Sequence, residues 1–124
     1  MKIAVFGSRD FPNYLVFEQL MDNIVKSNDV IVTGYDPETH SPRGVDKWAY
    51  EYASMRDIET KTYPADWSKG KGAGFARNKL IAKHGEIGVA FWDGESNGTL
   101  DTMQRMVRQK KSVSVIVIRD WLEE

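Results

Sequence analysis

The sequence has no cysteine among its 124 residues, so disulfides, zinc–thiolate sites and thiol catalysis are excluded. It also lacks an excess of either charge. Its 17 Lys and Arg stand against 18 Asp and Glu, a formal net charge of −1, so nothing draws the whole chain to nucleic acid or to an anionic membrane. No apolar run approaches the ~20 residues that span a bilayer, and no signal-like stretch follows Met1. We therefore expect a cytoplasmic protein without membrane contacts.

Two common phosphate-binding motifs are missing as well. The sequence contains no G-x-x-x-x-G-K-[ST], and its first glycine-bearing loop reads Gly-Ser-Arg-Asp-Phe over 7–11 rather than G-x-G-x-x-G. Phosphate-loop NTPases and ordinary NAD dehydrogenases are therefore disfavoured. His40 and His84 have no partner at metal-ligand spacing, so no metal site is expected. No particular cofactor is indicated.

The composition is that of one globular domain. Hydrophobic residues make up 41% of the chain and charged residues 28%, and the length is too short for two good cores. We predict a single nucleotide-binding domain over 1–124.

Apolar runs of strand length alternate with segments of helical spacing along the whole chain. Such alternation predicts a Rossmann-like α/β fold, a three-layer αβα sandwich around a five-stranded parallel sheet of order 3-2-1-4-5. The mixed polarity of 58–63 predicts an edge strand, and 119–124 read as a short tail with one helical turn. The predicted strands are 2–6, 29–33, 58–63, 87–92 and 113–118, and the predicted helices are 14–26, 45–55, 73–84 and 98–109.

Ligands of such sheets bind beyond the carboxyl ends of the strands where the strand order reverses, which is here between the first and fourth strands. Two polar loops follow those strands. In 7–11, a glycine lets backbone N–H groups approach an anion, and Ser8 and Arg9 supply phosphate donors. In 93–99, a helix start offers free N–H groups and its positive dipole end, although Ser96 or Thr99 could serve simply as the N-cap.

Further candidates flank these loops. Asp46, in the first turn of the second helix, caps that helix or accepts a ligand hydroxyl. Three glycines and two lysines in 67–74 lead to Arg77 and Asn78, which suits either an anion-facing loop or a solvated connection. Among the aromatic residues that could stack on a base, Trp92 is the best placed, at a strand end. The complete set of predicted ligand-binding residues is Gly7, Ser8, Arg9, Asp10, Gly34, Arg43, Gly44, Asp46, Arg77, Asn78, Trp92, Asp93, Gly94, Ser96, Gly98 and Thr99.

Five motifs in order make the chain resemble a known family. They are Gly-Ser-Arg-Asp-Phe at 7–11, Arg-Gly-Val-Asp-Lys-Trp-Ala at 43–49, Tyr-Pro-Ala-Asp-Trp at 63–67, Gly-Ala-Gly-x-x-Arg-Asn at 72–78, and Ala-Phe-Trp-Asp-Gly-x-Ser-x-Gly-Thr ending at Thr99. Together they resemble the YspA-like branch of the SLOG superfamily, which includes the Smf/DprA recombination mediators and the LOG phosphoribohydrolases. The resemblance implies a Rossmann-like fold and a nucleotide or nucleotide-derived ligand on these same loops.

The chain departs from the family pattern in two places. LOG enzymes carry Gly-Thr-x-x-Glu, whose glutamate acts in cleaving the base from ribose 5-phosphate, whereas Thr102 stands at that position here. Asp101 is one residue away and about 100° around the helix, so it is not a clean substitute. Relatives have Gly-Gly after the second strand, but here Gly34 is followed by Tyr35 and a longer loop, 36–42, that could reshape or cover the pocket.

Three functions remain open at the level of sequence. The first is a sensor, carrier or sequestering protein that binds a nucleotide-type phosphorylated small molecule. The second is a hydrolase of an N-glycosidic or phosphate bond, with Asp46 or Asp101 as the leading acid–base candidates beside Asp93 and Glu95. The third is a DprA-like nucleic-acid accessory protein. The net charge argues against it, but the loop 69–79 and a basic cluster, Arg105-Arg108-Lys110-Lys111, keep it open.

Apolar helix surface predicts a homodimer or a higher homo-oligomer. The residues expected to form this contact are Trp48, Tyr52 and Met55 on the second helix, with Phe75 and Leu80 on the third.

Overall fold

A computed structural model of the protein describes residues 1–117. Within them the chain alternates between strand and helix throughout, as the sequence predicts. The strands are β1 (Lys2–Gly7), β2 (Val30–Thr33), β3 (Glu59–Thr62), β4 (Ile87–Trp92) and β5 (Val113–Val117). The helices are α1 (Tyr14–Ile24), α2 (Val45–Met55), α3 (Ala73–His84) and α4 (Asn97–Arg108).

The five strands form one parallel sheet in the order β3-β2-β1-β4-β5, which confirms the predicted Rossmann-like topology. The central pair, β1 and β4, runs in register from Ile3 beside Ile87 to Gly7 beside Phe91. Both strands are almost wholly buried, because helices cover the two faces of the sheet. The strand order reverses between β1 and β4, so the loops that follow them diverge to opposite faces.

Two apolar layers fill the space between the sheet and its helices. Phe17 and Met21 of α1 pack with Ala49 and Tyr52 of α2 on one face, all fully buried. On the other face, Ile81 of α3 packs with Met106 of α4 against alternate residues of β1 and β4. The sandwich therefore has its helices in pairs, α1 with α2 and α3 with α4.

Most element boundaries agree with the predicted ones to within two residues. Helix α1 ends at Ile24 rather than at residue 26, because Val25 is buried in an extended conformation. The Val25 N–H donates the last hydrogen bond of the helix, to the Met21 carbonyl. A turn of 3-10 helix at Trp67–Lys69 was not predicted. Ile118 of the predicted last strand and the predicted 119–124 tail lie outside the described residues.

The residues expected to form a dimer contact do not share one surface. Tyr52 is 1% exposed and belongs to the core, and Trp48 is half-buried and packs edge-on against Phe17. Met55, Phe75 and Leu80 are exposed, but Met55 lies on the sheet face opposite to α3. The expected contact surface is therefore wrong at Tyr52, and the homo-oligomer itself stays a prediction.

Among residues 1–117, no helix combines the length and the apolar character needed to cross a membrane.

Candidate functional site

The loops that follow β1 and β4 are joined where the strand order reverses. The Ser8 N–H donates to the Phe91 carbonyl at 3.0 Å, and the Asp93 N–H donates to Ser8 Oγ at 3.1 Å. Ser8 is 1% exposed, so its hydroxyl ties the two loops together. A cavity of about 360 Å³, here called the first cavity, opens beside this junction at the carboxyl ends of the strands.

The first cavity brings together ten of the sixteen residues predicted to bind a ligand. They are Gly7, Arg9, Asp10, Asp46, Arg77, Asn78, Asp93, Ser96, Gly98 and Thr99. Four further lining residues were not in the predicted set, namely Phe6, Pro42, Ile81 and Thr102. Of the remaining predicted residues, Gly34 and Arg43 line a neighbouring cavity, and Ser8, Gly44, Trp92 and Gly94 line neither.

Asp46 is the one buried carboxylate of this cavity. It is 7% exposed, its Oδ2 lies 4.0 Å from Arg77 Nη1, and its Oδ1 has no hydrogen-bond partner among the described residues. Burial raises the pKa of Asp46 to about 6, against the lowering effects of the Arg77 and Arg9 charges and of the Gly7 N–H. Oδ1 itself is buried, so a bound molecule would reach the carboxylate on its cavity side, where the charged group accepts an O–H or N–H.

Arg77 and Asn78 form the floor of the cavity through a chain of hydrogen bonds. The Arg77 guanidinium donates from Nη1 to the Gly34 carbonyl at 3.2 Å and from Nε to Asn78 Oδ1 at 3.0 Å. The Asn78 amide then donates to the Gly98 carbonyl at 3.3 Å and to Asp101 Oδ2 at 3.2 Å. This chain fixes the start of α4 relative to α3 and β2.

The loop between β4 and α4 is held by its own side chains. Asp93 Oδ1 accepts the N–H groups of Glu95 and Ser96, both at 2.8 Å, and Trp92 Nε1 donates to the Ser96 carbonyl at 3.0 Å. Although burial alone would raise the pKa of Asp93, these N–H groups lower it, so the carboxylate stays charged. Ser96 is the N-cap of α4, and its Oγ accepts from the Thr99 N–H at 3.4 Å.

Gly98, in the first turn of α4, faces open space. A Cβ added there would meet no other atom within 4 Å, and Gly98 lines the first cavity. The positive end of the α4 dipole and its early N–H groups are therefore accessible to an anion.

We expect Gly98→Ala to separate folding from binding. Alanine in a helix is favoured over glycine by up to about 1 kcal/mol, so the free energy of unfolding should hold or rise slightly. The added methyl group would stand in the cavity wall and weaken the binding of phosphate-containing ligands. Gly72→Ala, at another open position outside this cavity, is the control. Thermal unfolding and calorimetric titration measure the two effects, and unchanged ligand affinity would contradict this role.

Gly7 and Gly34 have packing explanations that need no ligand. A Cβ on Gly7 would lie 2.3 Å from the Phe91 carbonyl oxygen, inside the β1–β4 pair. A Cβ on Gly34 would lie 2.6 Å from Arg77 Nη1, so only glycine lets that guanidinium cross the end of β2. Both positions shape the site through the backbone.

Arg9 stands at the mouth of the first cavity. It is exposed, and neither a hydrogen bond nor an ion pair holds its guanidinium within residues 1–117. Its neighbour Asp10 instead pairs with Arg43 at 2.8 Å, which links the loop after β1 to the loop before α2 across the surface. Arg9 is therefore the cation left available to a ligand at this mouth.

A second cavity of about 720 Å³ adjoins the first. The two share Arg9, Pro42 and Arg77 as lining residues. The longer loop after Gly34 forms one wall of the second cavity, and the segment 65–67 forms another. Trp67 lines this cavity, whereas the indole of Trp92 is committed to the β4–α4 loop.

The two catalytic candidates lie in different environments. Asp46 faces the first cavity, but Asp101 does not line it. Asp101 Oδ2 accepts from Asn78 Nδ2 and, at 2.9 Å, from Arg105 Nε, so this carboxylate serves the structure. Thr102, at the glutamate position of the LOG pattern, does line the cavity, where its hydroxyl donates to the Gly98 carbonyl at 3.2 Å.

Two members of the basic cluster are already engaged. Arg105 pairs with Asp101, and Lys111 Nζ donates to the carbonyls of Ala82 and Lys83. Half of the cluster therefore stabilises the fold. No group of three His, Asp or Glu residues suited to a metal ion occurs in the part of the chain described here.

Comparison with protein-family models, with curated proteins and with solved structures finds no match to this chain.

Proposed function

We propose that this protein binds a nucleotide or a nucleotide-derived phosphorylated small molecule in the first cavity, as a sensor, carrier or sequestering protein. The observation that carries the proposal is that one cavity holds both Asp46, a buried carboxylate with an unpaired oxygen, and an open helix start at Gly98. A volume of about 360 Å³ lies in the range of small-molecule sites.

Two chemically different groups of lining residues distinguish this cavity from a plain anion site. The α4 N–H groups and the Arg9 guanidinium favour a phosphate. Asp46 repels a phosphate and accepts a hydroxyl. A sugar phosphate carries a phosphate and hydroxyls a few bonds apart, so one molecule can satisfy both groups of residues.

Calorimetric titration tests the proposal with three probes of increasing size: inorganic phosphate, ribose 5-phosphate and the four nucleoside 5′-monophosphates. We expect ribose 5-phosphate to bind more tightly than phosphate, since only the sugar reaches Asp46. Absence of heat and of thermal stabilisation with every probe would refute the proposal.

Arg9→Ala is expected to weaken ribose 5-phosphate binding by about 10-fold or more, because a hydrogen bond between charged groups contributes about 1.5–3 kcal/mol. The folded state should be nearly unaffected, since Arg9 is exposed. Arg108→Ala, an exposed arginine at the far end of α4, removes the same charge as a control. Equal losses in both variants would mean that net charge alone, rather than Arg9, attracts the probe.

A hydrolase is the second candidate, and the raised pKa of Asp46 is the observation that favours it. A carboxyl with a pKa of about 6 in a cavity is suited to general acid or base work near neutral pH. Incubation of the pure protein with the same monophosphates, followed by mass spectrometry, separates the candidates. Turnover that is lost in Asp46→Asn supports the enzyme, and unchanged probes support the binding protein.

We further propose that the protein works in the cytoplasm as a homo-oligomer and belongs to the YspA-like branch of the SLOG superfamily. The motif order supports the family, and the position of Thr102 in the cavity supports a member without LOG-type glutamate chemistry. The net charge and the engaged lysine and arginine of the basic cluster argue against a nucleic-acid role.

A further inference from the structure

The Tyr-Pro-Ala-Asp-Trp segment at 63–67 has no part in the first cavity, yet it ends in an exposed indole. Trp67 is 58% exposed and lines the second cavity. We propose that the second cavity is a subsite for a planar aromatic ring, with Trp67 as its stacking surface. This inference rests on the proposed function of the first cavity and identifies where the base of a nucleotide would lie.

Trp67 is held in place by short-range structure. Asp66 caps the 3-10 turn, its Oδ1 accepting the Ser68 N–H at 3.2 Å and the Ser68 hydroxyl at 2.5 Å. The rim of the indole lies over Gly74 of α3, where a Cβ would come within 3.3 Å of Trp67 Cη2. The backbone under the indole is thus fixed, while more than half of its surface remains open to a ligand.

The opposite wall of the second cavity is also built rather than loose. Asp36 and Ser41 exchange backbone hydrogen bonds of 2.7 and 3.3 Å, and the hydroxyls of Thr39 and Ser41 lie 2.9 Å apart. His40 Nδ1 lies 3.4 Å from the Tyr35 hydroxyl. Polar side chains of this loop and the Trp67 indole line the same cavity, so it offers hydrogen-bonding groups for the edge of a ring and an aromatic surface for its face, the combination that holds a nucleobase.

Because the two cavities adjoin, one ligand can extend from the first into the second. Arg9 and Arg77 line both cavities, and the only buried carboxylate of the first, Asp46, lies 4.0 Å from Arg77. A nucleoside monophosphate with its phosphate at Gly98 and its sugar at Asp46 would then extend past Arg77 toward Trp67. The long loop after β2 thereby forms one side of the ring subsite.

The test compares probes with and without a ring on variants of Trp67. The probes are ribose 5-phosphate and the tightest-binding of the four nucleoside 5′-monophosphates. Stacking of one base on an aromatic side chain should make the monophosphate bind about 5- to 100-fold more tightly than ribose 5-phosphate. Trp67→Ala should remove that advantage, Trp67→Phe should keep most of it, and both should leave ribose 5-phosphate binding unchanged.

Phe75→Ala is the control, because it removes another exposed aromatic side chain of the same region that lines neither cavity. If ribose 5-phosphate binds but the monophosphate binds no tighter, or if Trp67→Ala leaves their ratio unchanged, the ring subsite is refuted and the first cavity stands. If neither probe binds the unmodified protein, the proposed function fails and the ring subsite fails with it.

Discussion

Asp46→Asn is expected to raise the melting temperature at pH 7 while it weakens ligand binding. Asp46 is buried with one unpaired oxygen, and its pKa rises from 3.8 to about 6 in the folded protein. The charged form is therefore disfavoured in the fold by about 3 kcal/mol relative to the unfolded chain. An uncharged asparagine of the same size avoids that cost.

The gain should be somewhat smaller than this figure. The pKa of about 6 already includes the attraction of Arg77, whose Nη1 lies 4.0 Å from Asp46 Oδ2, but asparagine buries an amide NH2 that needs hydrogen-bond acceptors of its own. We expect roughly 1–3 kcal/mol, which corresponds to about 3–10 °C for a domain of this size.

The effect of Asp46→Asn on stability should depend on pH. Because the folded pKa lies above the unfolded one, the folded state binds the proton more tightly between pH 3.8 and about 6. The contribution of Asp46 to stability is thus most favourable below pH 3.8 and is lost as the pH rises through 6. Wild type and Asp46→Asn should therefore unfold alike near pH 4 and diverge toward pH 7.

Asp57→Asn is the matched control. Asp57 is exposed, and its φ of 54° is one that asparagine also adopts readily, so its replacement should leave the melting temperature at pH 7 unchanged. Ribose 5-phosphate affinity at pH 7 should fall about 10-fold or more in Asp46→Asn, since a charged acceptor is lost. A variant that is less stable than wild type at pH 7 would contradict this account of Asp46.

A residue that destabilises the unliganded fold and faces a cavity is kept by something other than folding. Asp46 carries an unpaired oxygen, and Trp67 exposes a large apolar surface. On the proposed function, a donor of the ligand would neutralise the first cost and a ring of the same ligand would cover the second, which is why we assign both residues to one ligand.

The fold could be predicted because its signals are local. Short apolar runs such as 2–6 and 87–92 end at polar, glycine-bearing loops, and helical spacing fills the intervals, so alternation and right-handed crossovers fix the strand order. The end of α1 was misjudged because Val25 is buried, as the apolar period predicts, but is extended. At Val25 a buried side chain does not go with a helical backbone, and the spacing of apolar residues indicates only which side chains are buried.

The candidate site was predicted less completely, because it depends on contacts between distant loops. Nothing in the sequence indicates that Gly34 makes room for Arg77 or that Asp101 faces Arg105 instead of the cavity. The sequence also does not separate the two tryptophans that could stack on a base. Trp92 ends an apolar strand and Trp67 follows a polar segment, and only the structure distinguishes an engaged indole N–H at Trp92 from an exposed ring at Trp67.

Gly44→Ala should be the most destabilising of the substitutions considered. Gly44 precedes α2 with φ 87° and ψ −140°, a conformation nearly restricted to glycine, and a Cβ there would lie 2.4 Å from the Arg9 carbonyl oxygen. The backbone strain costs about 1–3 kcal/mol, and the clash with main-chain atoms adds about 1–3 kcal/mol. We expect the free energy of unfolding, measured in urea, to fall by about 3–5 kcal/mol.

Gly70→Ala separates the backbone strain from the clash with main-chain atoms. Gly70 has φ 89° and ψ −159°, close to those of Gly44, but no atom lies within 4 Å of its Cβ position. Its replacement should show the strain alone, about 1–3 kcal/mol. The excess in Gly44→Ala then measures how firmly the start of α2 is packed against the backbone of Arg9. If the two variants lose equal stability, the backbone of the loop after β1 moves away from the new Cβ at no cost in free energy. The contact with Gly44 would then not hold Arg9 at the mouth of the first cavity.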